Sequence, residues 1–232
     1  PNPPTLDWYI YTFSKELSGR THPEYYMNSV IASLSALIFC LAFSIPTAYA
    51  LARFTFRGRE DIAFTILTFR FLPPASVVIP IFVFYRSLGL LDNPITLGII
   101  YGAIGSPIAV WVLRSYFIEI PSELEESYML DGYSRWRAVL KVLIPLAMPG
   151  IVAVGLLIFA LSWGEFLFAV FLTSSQHGKT IPVGISELTG GERGYEWQQI
   201  GALTIAGIIP MIIAFTLIRK YLARGLTLGA VR

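Results

Sequence analysis

An all-α integral membrane protein is predicted by composition, by the length of the apolar runs and by the placement of charge. Of the 232 residues, 55% are hydrophobic and only 14% charged, with a mean hydropathy of +0.64, too apolar for a soluble domain of this size. A bilayer core of about 30 Å takes about 20 helical residues to cross. Uncharged runs of that length occur at Ser29–Ala52, Asn93–Leu113, Val142–Gly164 and Trp197–Ile218, and Ile62–Tyr85 makes a fifth, interrupted only by Arg70. Lysine and arginine give the orientation. One side receives Arg53, Arg57, Arg59, Arg114, Arg135, Arg137, Lys141, Arg219, Lys220, Arg224 and Arg232, eleven in all; the other receives Lys15, Arg20, Arg86, Lys179 and Arg193, five. The charged loop between the third and fourth spans and the C-terminus therefore face the cytoplasm.

Residues 1–27 are a polar lead-in placed on the far side, with Trp8, Tyr9, Tyr11, Tyr25 and Tyr26 suited to the membrane interface. Interface anchoring with no ligand role accounts for them. Delivering this stretch to that side calls for a segment upstream of Pro1, most simply a sixth spanning helix. Residues 28–223 form the transmembrane domain. Its first span contains Pro46 and ends in a basic turn, and its second carries Arg70, then Pro73, Pro74 and Pro80. Three prolines break or bend a helix. Broken backbone in a bilayer is tolerated only against protein or water, so this span should line something. Pro107 and Pro210 repeat the theme, although membrane helices are proline-rich in any case.

The cytoplasmic loop 118–145 is a charged island between apolar segments. Ser122 with Glu125 three residues on reads as a capping box after Pro121, and the clustered acids suit a helix N-terminus. Gly132 reads as a left-handed terminator. Ser134 can cap a second helix that re-enters the membrane. The product is a short helix, a glycine turn and another helix.

After the fourth span comes Leu161-Ser-Trp163-Gly-Glu165-Phe. Glu165 and Arg70 are the ionisable residues expected at membrane depth, where charge is costly and faces a partner or a water-filled cavity. Glu165 and Trp163 could contact a polar solute, the indole stacking on a sugar ring; alternatively Glu165 lies near the outer interface or pairs with Arg70. The exterior loop 173–199 is glycine-rich and flexible, a connector or a contact surface, and its glycines make no phosphate-binding fingerprint.

Cys40 is the only cysteine, and His22 and His177 are far apart in sequence, so no internal disulfide and no metal cluster is expected. The net charge of +2 reflects the inside bias and suggests no nucleic-acid partner. No Gly-x-x-x-x-Gly-Lys-Ser/Thr loop occurs, so the chain binds no ATP by that means. An intramembrane enzyme using Glu165 or Asp131 lacks a second catalytic group at usable spacing.

The island resembles the loop signature of the inner-membrane permease subunits of binding-protein-dependent ABC importers, which reads Glu-Ala-Ala, three residues, Gly, nine residues, then Ile-x-Leu-Pro. Here Glu126-Ser127-Tyr128, Gly132 and Val142-Leu143-Ile144-Pro145 keep the spacing, with both alanines, the Ile and the Leu substituted. Arg70-Phe-Leu-Pro-Pro74, Gly89-Leu-Leu-Asp92, Trp163-Gly-Glu-Phe166 and Arg224-Gly-Leu-Thr-Leu-Gly-Ala-Val231 are similar to the carbohydrate branch, and to its second maltose-type permease. The resemblance runs from about Pro4 to Arg232.

This resemblance implies a type I ABC importer permease fold in the bacterial cytoplasmic (inner) membrane, with the N-terminal sixth span absent from this stretch. It implies import of a sugar, oligosaccharide or polyol. The implied partners are a homologous permease, two ATPase subunits that hold ATP and Mg, and an extracytoplasmic solute-binding protein; the chain itself needs no cofactor and performs no catalysis. Residues Glu125, Glu126, Asp131, Gly132, Arg135 and Arg137 would belong to the coupling helix region docked on the ATPase. Arg224, Gly225 and Arg232, in the 224–232 tail, would reach the ATPase, while Glu192, Tyr195 and Trp197 would meet the binding protein. Arg70, Trp163 and Glu165 are the substrate-path candidates. An importer for a non-carbohydrate solute remains the alternative, and an intramembrane enzyme a remote one.

Overall fold

The computed structural model describes residues 6–14, 22–189 and 197–228, with side chains described as far as Thr216. Regular structure among the described residues is helical throughout. Helix α1 (Asp7–Phe13) precedes α2 (His22–Arg53). Then come α3 (Arg59–Thr68), a 3₁₀ turn (Phe69–Phe71), α4 (Pro74–Ser87) and α5 (Pro94–Glu119). The island holds α6 (Glu123–Leu130) and α7 (Arg135–Ala138), which continues through a π-helical turn (Val139–Leu143) into α8 (Ile144–Trp163). Short helices α9 (Leu167–Leu172) and α10 (Ile181–Glu187) lead to α11 (Trp197–Leu228).

Each expected span has its helix, but the boundaries differ in instructive ways. Helix α2 begins at His22, within the expected lead-in, and part of that lead-in is itself helical as α1. The exterior loop, expected to be flexible throughout, contains α10. The fourth span starts earlier than Val142, because the helix is continuous from Arg135 and carries Pro149 in its interior. The π turn lies immediately before Pro145. A proline ring clashes with the carbonyl four residues back, here Lys141, and a widened turn relieves that contact.

The second span is where the proline expectation is borne out. Leu72 and Pro73 both precede a proline and both take extended backbone, with ψ of 126° and 121°. Two extended residues in succession turn the axis, and Arg59–Phe71 meets Pro74–Ser87 at 90°. Pro74 then starts α4 at a position where its missing N–H costs nothing.

Cross-links between helix ends show that this bent pair runs from one face of the bundle to the other. At one face, Asn28 Nδ2 donates to the carbonyls of Gln176 and Lys179, and Asp92 N–H donates to Leu172 O. At the other, Arg53 bonds Glu125 and the Ile120 carbonyl, and Arg114 bonds the Leu51 carbonyl and Glu60. The bent pair starts beside Glu60 and ends at Asp92, so its ends lie on opposite faces. Among the described residues α2, α5, α7–α8 and α11 are each long and apolar enough to cross a membrane, and the bent pair taken as one span makes a fifth.

Helices α2 and α5 form the core, with α8 laid across both. Lipid supplies no hydrophobic drive between helices, so close contact of small residues holds them. On α5, Gly98 and Gly102 stand four apart and face Ala32 and Ala36 of α2. A Cβ on Gly98 would strike the Ala32 carbonyl, and one on Gly102 would lie 2.7 Å from the Ala36 carbonyl. Backbone cannot yield as a side chain can. Gly98→Leu should therefore cost at least about 1–3 kcal/mol and lower the midpoint of thermal unfolding in detergent by roughly 3–10 °C; an unchanged midpoint would contradict this packing.

Candidate functional site

The island is built as the sequence suggests, with one exception at its start. Ser122 has helical backbone and makes no side-chain cap, so the capping box is not formed; its carbonyl instead receives the N–H groups of Glu125 and Glu126 at 3.0 Å. A serine already inside the helical turn points its hydroxyl away from the orphan donors. Gly132 has φ +88°, the left-handed region expected of it, and Ser134 caps α7 by accepting from Arg137 N–H at 3.4 Å.

Glu125 is buried, and its carboxylate accepts from Arg53 Nε at 2.7 Å and from the Tyr49 hydroxyl at 3.2 Å. The same guanidinium donates to the Ile120 carbonyl at 2.8 Å, at the C-terminal end of α5. Glu125 is thus the rivet that fastens α6 to α2, not a group offered outward. Glu126, Asp131, Arg135 and Arg137 are exposed. Around them stand apolar groups open to solvent, above all Leu130 at 87% exposure, with Leu124, Tyr133 and Trp136. A patch of this kind marks a contact surface. Tyr128, where the family motif has alanine, stacks on Tyr133 with centroids 4.5 Å apart, which gives the large ring a place on its own chain. The Arg135 guanidinium lies 5.3 Å from the Phe54 ring centroid and ties the glycine turn to the end of α2.

At membrane depth, Arg70 and Glu165 line one cavity of about 170 Å³, together with Tyr101, Ser162 and Pro74. An adjoining, more apolar cavity of about 270 Å³ shares Arg70, Pro74, Ile104 and Phe168. The bend therefore faces open space, as broken backbone in a bilayer requires. The two charges do not pair. Glu165 is engaged by the N-terminus of α9, accepting from Phe168 N–H at 3.1 Å and from Ala169 N–H at 3.4 Å. Arg70 makes no ion pair among the described residues and presents its cation to the cavity. Tyr101 was not singled out from the sequence. Its buried hydroxyl lies beside the Glu165 carboxylate without a hydrogen bond of good geometry. The signal was available, since Tyr101 and Ser106 are the polar side chains in the apolar stretch from Gly98 to Val112 apart from Trp111.

Trp163 is not in this cavity. Its indole N–H donates to the Gly207 carbonyl at 2.9 Å, and the buried ring packs between Tyr26 and Phe159, locking α8 to α11. The expected stacking on a solute is thereby corrected. A tryptophan with its one donor satisfied by a helix carbonyl is a packing residue.

On the outer face, Asp92 fastens the turn before α5 to the loop after α9. Its carboxylate accepts from Ser174 N–H at 2.6 Å, Ser175 N–H at 2.7 Å and the Ser174 hydroxyl at 2.7 Å. Partial burial pushes the Asp92 carboxyl up, and these serine contacts together outweigh it, holding the group below its ordinary value. Asp92 adopts φ 57°, and Gly178 allows the close approach, since a Cβ there would sit 2.7 Å from Asp92 Cα. Trp197 is exposed at the start of α11. Glu192, Tyr195 and Arg232, and the side chains of the tail at Arg224 and Gly225, lie outside the described residues.

Comparison with known proteins agrees with this architecture. A family model described as "Binding-protein-dependent transport system inner membrane component" matches residues 28–228. The chain is 33% identical over 210 residues to the trehalose/maltose transport system permease protein MalG of Thermococcus litoralis, covering 90% of this chain and 76% of that one. It is 33% identical over 232 residues to the sulfoquinovosyl glycerol transport system permease protein SmoH of Agrobacterium fabrum, covering 100% and 80%. Among solved structures it is similar to a chain of a bacterial ABC transporter involved in the import of the acidic polysaccharide alginate, with a TM-score of 0.76 at 28% identity over 95% of this chain and 81% of that one.

Proposed function

The chain belongs to the family of binding-protein-dependent transport system inner membrane components, and from that membership we propose that it forms half of the translocation path of an ATP-driven importer for a sugar, oligosaccharide or polyol. The carbohydrate class is supported by relatives that carry maltose, trehalose or sulfoquinovosyl glycerol in their names. A homologous permease supplies the other half of the path, two cytoplasmic ATPases hold ATP and Mg, and an extracytoplasmic protein delivers the solute.

In this scheme the island docks on an ATPase through Leu130, Trp136 and the exposed charges Glu126, Asp131, Arg135 and Arg137, with Gly132 setting the angle between α6 and α7. Glu125 holds the docked helix to the spans. The tail at Arg224, Gly225 and Arg232 meets the ATPase as well, and Glu192, Tyr195 and Trp197 meet the binding protein. The solute passes the bend in the second span, where Arg70 donates, Glu165 accepts and Tyr101 does either. The observation that carries this reading is the cavity at the broken span, where Arg70, Tyr101, Ser162 and Glu165 stand among apolar side chains. Hydroxyl groups of a polyol are both donors and acceptors and match such a mixed lining without requiring net charge.

Glu165→Gln tests it in the reconstituted complex. An amide keeps one acceptor for α9 but loses the charge, so assembly should persist while ATP-dependent uptake of labelled sugar falls by roughly tenfold, the scale of a hydrogen bond to a charged group. A complex that no longer assembles would return Glu165 to a structural role.

A further inference from the structure

The island lies beside the start of the bent span and the cavity at its bend, and ion pairs and paired helix ends connect the two. The C-terminal carbonyls of a helix lack partners within it. Helices α2 and α5 end side by side, and each satisfies an orphan carbonyl of the other with an arginine. Arg53 of α2 donates to Ile120 O at the end of α5, and Arg114 of α5 donates through Nε to Leu51 O in the last turn of α2 at 3.2 Å. The free arm of each guanidinium then reaches a carboxylate on a third element. Arg53 takes Glu125 of the island helix, and Arg114 takes Glu60 of α3. Both guanidinium groups are largely shielded, at 10% and 11% exposure.

We propose that Arg114 is a positioning residue for transport, the clamp that carries movement of the island to the foot of the bent span. Tilting α6 pulls on Arg53 and so on the shared end of α2 and α5. Arg114 holds α3 to that same end through its ion pair with Glu60. Helix α3 runs directly into the 3₁₀ turn that carries Arg70. The island, the paired helix ends and the cavity wall are therefore joined by Glu125, Arg53, Arg114 and Glu60 in that order. A lysine at 114 would keep the charge but could not reach a carbonyl and a carboxylate at once in the planar fork that arginine provides.

This inference rests on the import reading above, and the test separates the two. The full complex, with its partner permease, ATPases and binding protein, is reconstituted with wild type, Arg114→Lys or Glu60→Ala, and co-purification, ATP hydrolysis and uptake of labelled sugar are measured together. Glu60 is 63% exposed, so its truncation leaves no cavity and keeps the test valid if the arginine variant folds poorly. The expected result is normal assembly, ATP hydrolysis within about twofold of wild type, and sugar imported per ATP reduced by about tenfold, the scale at which residues between sites alter coupling. An unchanged ratio in Glu60→Ala overturns the clamp, as does uptake that falls only in proportion to lost assembly. A wild-type complex that hydrolyses ATP and moves no sugar would defeat the import reading instead.

Discussion

Glu125→Ala should leave the chain in the membrane but disconnect its island. Removing one member of a buried ion pair strands the other, here Arg53, at a cost of about 3–5 kcal/mol. The Ile120 carbonyl still accepts from Arg53, so the lower end of that range applies, and about 3 kcal/mol shifts the balance between seated and loose island by roughly a hundredfold. ATP hydrolysis by the partner subunits should continue while uptake falls by more than about tenfold. Glu125→Gln, which keeps an acceptor for the Tyr49 hydroxyl but not the charge, should fall between the two. Uptake of Glu125→Ala at the wild-type level would mean that the island is held by its surface contacts alone.

Gly132→Val is the second large effect, and its cause is different. A Cβ at Gly132 would meet nothing within 4 Å, so the site has room for any side chain. The constraint is the backbone at φ +88°, a region that costs an L-residue about 1–2 kcal/mol and that β-branched residues shun most. The turn would open and re-aim α6 relative to α7. Gly132→Asn serves as the control, because asparagine tolerates the left-handed region. Uptake assays should show the valine variant losing most transport and the asparagine variant keeping most of it. Equal loss in both would point to a steric contact with the ATPase in place of backbone geometry.

The spans, the broken helix and the glycine turn were legible in the sequence because each has a local cause. Run length, successive prolines and a glycine after two turns of helix act within a few residues of themselves. What was not legible depends on contacts between distant segments. Arg53 and Arg114 counted only as cytoplasmic charge, since nothing local shows that each caps the other's helix. Glu125 read as the capping partner of Ser122 and as part of the docked coupling helix, and only the proximity of Tyr49 and Arg53 turns it inward. Trp163 next to Glu165 suggested a shared site, but helix α8 ends between them, so the indole turns to α11 and the carboxylate to α9. Gly98 and Gly102 carry a small-residue spacing that was readable and was passed over; the close approach of α2 is what gives it meaning.

The most direct test follows the movement itself. Phe71, at the bend and 78% exposed, is replaced by a cysteine carrying a fluorophore or spin label, while Cys40, the only native cysteine, is fully buried and stays unlabelled. The reporter is read in the reconstituted complex as ATP is added, with glutamate or alanine at position 125. The spectrum should change on ATP binding when Glu125 is present and stay constant in Glu125→Ala, even though that complex still binds ATP. The same ATP-dependent change in both would contradict the claim that the island drives the bent span through this rivet.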